Sequence, residues 1–144
     1  MSATTKAPRF AIGIDLGTTH SALAWVDIAG SDGEATVHGT LPIPQLTAPG
    51  AVESMPLLPS FLYLPGPNDL PAGATALPWD KAAVDVVGAF ARGHGAKIPG
   101  RLVSSAKSWL SHAGIDRTAP WPKFQHDLRN TGNAGTPLTE LVCP

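Results

Sequence analysis

The chain has 144 residues, of which 43% are hydrophobic and 15% charged, and its formal net charge is −1. This balance suits one soluble globular domain with a sizeable core, and it removes any electrostatic case for binding nucleic acid or an anionic membrane. Cys143, the single cysteine, cannot form an internal disulfide, no run reaches the length of a membrane span, and Met1–Arg9 lacks an apolar signal core, so the expected location is the cytoplasm.

Residues 1–9 read as a flexible lead-in. Phe10–Ile14 is an apolar run, expected as a strand apolar on both faces and therefore interior to a sheet. His20–Asp27 is a second such run, and the Gly17-Thr18-Thr19 segment between them predicts a β-hairpin. The turn has a use beyond reversal. Gly17 has no Cβ, so backbone can approach a ligand closely. Successive N–H groups of Gly17, Thr18, Thr19 and His20 can point into one concavity and hold an anion, and the threonines add hydroxyl donors. Asp15, at the end of the first strand, is placed to hold a hard cation such as Mg²⁺ through water. Phosphate cradle, metal and fixed carboxylate are the parts of a phosphoryl-transfer site.

Farther on, Ala29–Glu34 reads as a turn. Ala35–Leu46 alternates loosely and could be an edge strand interrupted by Pro42 and Pro44. Thr47–Pro56 is expected as loop, Leu57–Leu64 as a strong strand, and Pro65–Pro78 as a surface loop. Asp85–Val87 predicts a short strand and Ala89–Lys97 a helix weakened by Gly93 and Gly95. Arg101–His112 is the clearest helical pattern: Leu102, Ala106, Trp109 and Leu110 fall on one stripe, and Gly114 supplies a stop. From Lys123 onward the sequence has neither a period of two nor one of 3.6. His38, His94, His112 and His126 lack the spacing of a metal site, and Trp79, Trp109 and Trp121 read as packing residues.

The nonapeptide Gly13–Ser21, GIDLGTTHS, resembles the first phosphate motif of the actin-like ATPase superfamily, and most closely that of the heat shock protein 70 chaperones. Three later segments follow the order of that family: Pro59-Ser60 before Phe61–Leu64, Val87-Gly88 before Ala91-Arg92, and Ala106-Lys107 after Pro99. The resemblance covers residues 9–122. It implies an α/β fold, a partial actin-like (ribonuclease H-like) lobe whose mixed sheet starts with the hairpin and carries helices packed on it. It implies that Gly17, Thr18, Thr19 and His20 wrap the phosphates of ATP, that Asp15 serves Mg, and that Lys107 reaches the γ-phosphate and attacking water as the catalytic cation. His20 stands where the family often has Asn or Tyr, and Ser108-Trp109 replaces a basic and apolar pair, which suggests a divergent bacterial-type branch.

The same resemblance implies a molecular chaperone in which ATP hydrolysis is coupled to peptide binding. Unfolded peptide clients and co-chaperones would then be engaged only through parts the sequence lacks: the second phosphate motif, the adenosine motif and the peptide-binding domain. Residues 123–144 are expected as an irregular tail of a truncated or frameshifted copy, or of a fragment, and the chain alone is expected to be inactive towards ATP. Two alternatives stay open. Sugar kinases of the superfamily carry similar turns, and a remnant or interaction module could keep the lobe's shape without nucleotide affinity. A lysine on a helix face is also commonly just solvated.

Overall fold

The computed structural model describes residues 7–29, 36–111 and 113. Most of the expected Ala29–Glu34 turn, the stop at Gly114 and the tail from Lys123 lie outside the described residues. Strand β1 (Phe10–Leu16) and strand β2 (His20–Asp27) form the hairpin, in continuous antiparallel register from Phe10 opposite Asp27 to Leu16 opposite Ser21. On the far edge of β2 two short strands lie end to end: β3 (His38–Thr40) against Ala24–Val26 and β6 (Leu58–Pro59) against His20 and Ser21. Arg9 ties down the open end of the hairpin. Its guanidinium donates twice to one oxygen of Asp27, at 3.0 and 2.9 Å, and this raises the arginine's pKa.

Two further small sheets complete the architecture. Strands β4 (Ile43–Ala48) and β5 (Ala51–Met55) pair by themselves, reversing at Gly50, whose φ of +69° suits a residue without Cβ. In the third sheet β7 (Phe61–Tyr63) is central, flanked by β8 (Val86–Val87) and β9 (Leu102–Ser104). Helix α1 (Ala89–Gly95) packs on these two sheets, and a 3₁₀ turn at Pro99–Arg101 leads into β9. The last described helix, α2, is a single turn, Ala106–Trp109. Every strand pairing among the described residues is antiparallel, so the fold is mixed α/β with small antiparallel sheets and few helices. No helix among them is long and apolar enough to cross a membrane.

The core sits away from the hairpin. Leu46, Tyr63, Val86, Phe90, Ala91 and Leu102 form one buried cluster, with Val52, Phe61, Leu70, Leu77 and Ile98 packed around it. Gln45, 3% exposed, fastens the parts together: its Nε2 donates to the Leu57 carbonyl at 2.9 Å, and its Oε1 accepts the N–H of Ala89 at the start of α1 at 2.8 Å. Helix α1 has no side-chain cap of its own, so this long-range bond satisfies one of its orphan donors. Tyr63, fully buried, sends its hydroxyl to Asp69 Oδ2 at 2.9 Å, and the same oxygen accepts the Gly66 N–H at 2.7 Å.

Several expectations are corrected. Among the described residues β1 is not interior: it is an edge strand, and all seven of its residues are exposed, including Ile12 at 59% and Ile14 at 65%. Thr47–Pro56 is not a loop but mostly the β4–β5 hairpin. β4 tolerates Pro44 because, among the described residues, its sheet has two strands and each has a free edge, where a missing N–H costs little. The single strand expected at Leu57–Leu64 is divided at Ser60 into β6 and β7, which belong to different sheets, so the hairpin and Phe61–Tyr63 do not share one sheet. The helix expected over Arg101–His112 is mostly something else. Leu102, Val103 and Ser104 pair with β7 and are all buried, a gain that outweighs a helical stripe. Ser105 then turns the chain with φ +55°, the left-handed region that non-glycine residues seldom visit.

Candidate functional site

The turn after β1 is held from two directions. Ser60, at the break between β6 and β7, donates its Oγ to the Gly17 carbonyl at 2.7 Å and its backbone N–H to the Thr19 carbonyl at 2.9 Å. Lys107, on α2 and 91 residues beyond Leu16 in sequence, donates its ammonium to the Leu16 carbonyl at the mouth of the same turn. The left-handed Ser105 is what makes this reach possible, because it redirects the chain out of β9 just before the lysine. Gly17 is required by geometry rather than by habit. A Cβ there would stand 2.1 Å from the His20 carbonyl oxygen, a backbone atom that cannot step aside.

Beside the turn lies a cleft of about 550 Å³. Leu16, Leu58, Phe61, Val103 and Leu110 make it largely apolar, and Gly17, Thr18, Ser21, Ser60 and Lys107 supply its polar rim. Asp15, Thr19 and His20 do not line it. Along β1 successive side chains alternate between faces, so Asp15 points to the face opposite Leu16, with Ala22 as its cross-strand neighbour. The His20 ring lies 3.3 Å from a terminal guanidinium nitrogen of Arg92 on α1. The structure therefore brings together Gly17, Thr18 and Lys107, and leaves Asp15 on the other face.

What this arrangement can do chemically is hold an anion. Backbone donors at a glycine turn, a threonine hydroxyl and one lysine ammonium are the components of a phosphate cradle. For a hard cation the donor set is thin. Among the described residues no three His, Cys, Asp or Glu converge, and Asp15 offers one carboxylate where Mg²⁺ takes six oxygens, so any ion there would be held mainly by water and by a ligand's own oxygens. Ser60 was visible in the sequence only as part of a Pro-Ser pair before a strand. Its clamp on the turn depends on the chain break between two sheets, which no local spacing announces.

Comparison with protein-family models, with curated proteins and with solved structures returns no match.

Proposed function

We propose that this chain is the ATP-binding N-terminal lobe of a heat shock protein 70-like chaperone, with Gly17, Thr18, Thr19 and His20 receiving the phosphates, Lys107 supplying the cation and Asp15 acting on Mg through water. The observation that carries the reading is the meeting of two distant motifs: Lys107 docks on the Leu16 carbonyl, at the entrance of the Gly17–His20 turn. A lysine there is suited to the negative charge that spreads over a transferring phosphoryl group. In an intact parent protein Lys107→Ala should leave nucleotide binding largely in place and slow hydrolysis, whereas Asp15→Asn should weaken the Mg²⁺ dependence. The chain itself is tested by titrating it with Mg·ATP and following backbone amide signals. Shifts confined to residues 17–20 and Lys107 support the reading, and a wild-type chain without shifts in that segment overturns it.

A second reading, an interaction module of the same shape without nucleotide affinity, draws on the apolar lining of the cleft and the exposure of β1. Saturable ATP binding would exclude it.

A further inference from the structure

Ser60 spends both of its donors on one turn, Oγ on Gly17 and backbone N–H on Thr19. Across a trans peptide the carbonyl and the following N–H point to opposite sides, and no described peptide bond is cis. Two carbonyls drawn to the same residue therefore turn the N–H groups of Thr18 and His20 away from Ser60. The Leu16 carbonyl, drawn to Lys107, turns the Gly17 N–H away from the lysine in the same manner. The donors of the turn are thus not equivalent.

We propose that Ser60 is the positioning residue of the phosphate turn: it engages the two carbonyls that would repel an anion and leaves the N–H groups of Thr18 and His20 directed away from itself. This rests on the phosphate reading of the turn. A carbonyl dipole left free could rotate towards the ligand and oppose it, while preorganised donors cost no reorganisation when the anion arrives. Ser suits the task by size. Its half-buried hydroxyl reaches Gly17 from a backbone that is itself bonded to Thr19, so one residue fixes two alternate peptide planes. Lys107 and Arg92 touch the turn only from outside, at the Leu16 carbonyl and the His20 ring.

The test uses the full chain labelled with ¹⁵N, as wild type, Ser60→Ala and Ser60→Thr, with inorganic tripolyphosphate as the probe. Backbone order parameters of residues 17–20 read the clamp without any ligand. They are expected near the rigid value of about 0.85 in wild type and Ser60→Thr, and below about 0.6 in Ser60→Ala. Amide shifts at Thr18 and His20 read the binding, expected about tenfold weaker in Ser60→Ala, the worth of roughly one neutral hydrogen bond, and restored in Ser60→Thr. A merely structural serine would lower thermal stability without moving the ratio of the two affinities. A turn that stays ordered in Ser60→Ala, or equal affinities in wild type and Ser60→Ala, overturns the role of Ser60 alone. Absence of any shift at Thr18 and His20 in the wild-type chain overturns the phosphate reading, and with it the role, although the order parameters still report the clamp. If Ser60→Ala loses the core signals of Phe90 and Leu102, Ser60→Cys, of nearly the same shape but a weak donor, carries the comparison.

Discussion

Tyr63 is the only tyrosine in the chain, so its ionisation can be followed by tyrosinate absorbance without assignment. Burial, and then the hydrogen bond to Asp69, push its pKa from 10.0 to about 12. The sign follows from which form the fold prefers. The neutral phenol is favoured in the folded state, so the stabilisation is fully present below pH 10 and is lost as the pH rises through 12. A hundredfold change in proton affinity is worth ~2.7 kcal/mol at most. Asp69, the partner, has a side chain 25% exposed, and water screens the pair, which brings the expected loss to about 1–2 kcal/mol. The measurement is urea unfolding followed by tryptophan fluorescence at pH 9 to 12 in roughly half-unit steps, with Tyr63→Phe alongside. Wild type should lose that stability across the window and the Phe variant should not, although the variant starts lower by about 1–3 kcal/mol because the hydroxyl is gone. A tyrosine titrating near 10 while the chain remains folded would refute the reasoning, since it would mean that water reaches the ring.

Gly17→Ala places its new methyl against the His20 carbonyl, so the turn must open, at a cost of ~1–3 kcal/mol, and an unchanged melting temperature would contradict the geometry. Gln45→Ala strands the Ala89 N–H and the Leu57 carbonyl, and chemical denaturation should find it less stable by about 2–4 kcal/mol. ATP turnover by the chain alone should not rise above background, because the turn and Lys107 form one wall of a site and leave the triphosphate wet, where each charge contact is worth little. Mg-dependent hydrolysis abolished by Lys107→Ala would prove that prediction wrong.

The hairpin was legible because its signals are local. Two β-rich runs flank a glycine turn, and the strands run Phe10–Leu16 and His20–Asp27, close to the ranges read from residue type. What escaped depends on partners. Leu102 opens a stripe with Ala106, Trp109 and Leu110 at helical spacing, and only the presence of β7 makes a strand of Leu102–Ser104 the more stable choice. Ala51–Met55 is too short and mixed to declare itself without β4 beside it. The apolar character of β1 states what that strand would prefer to touch, and it was read as burial that the described residues do not provide. As for the candidate site, the turn and Lys107 were readable from the sequence, whereas the placement of Asp15 on the opposite face followed from strand alternation once Leu16 was known to line the cleft.

The outer rim of β1 has a consequence for how this chain behaves in company. Because the Arg9 carbonyl accepts the N–H of Ile28, the odd-numbered residues of β1 spend their backbone groups on β2, and those of Phe10, Ile12 and Ile14 face outward. Beside them stand the exposed side chains of the same residues. A surface of this kind is a template for any extended chain, a second copy included. Self-association should therefore grow with protein concentration while salt changes it little, since the charges beside Phe10, those of Arg9 and Asp27, are already paired with each other. One lysine in place of Ile14 should keep the chain monomeric in sedimentation at concentrations where the wild type adds to itself, and a variant that associates as readily as the parent would show that another surface is responsible.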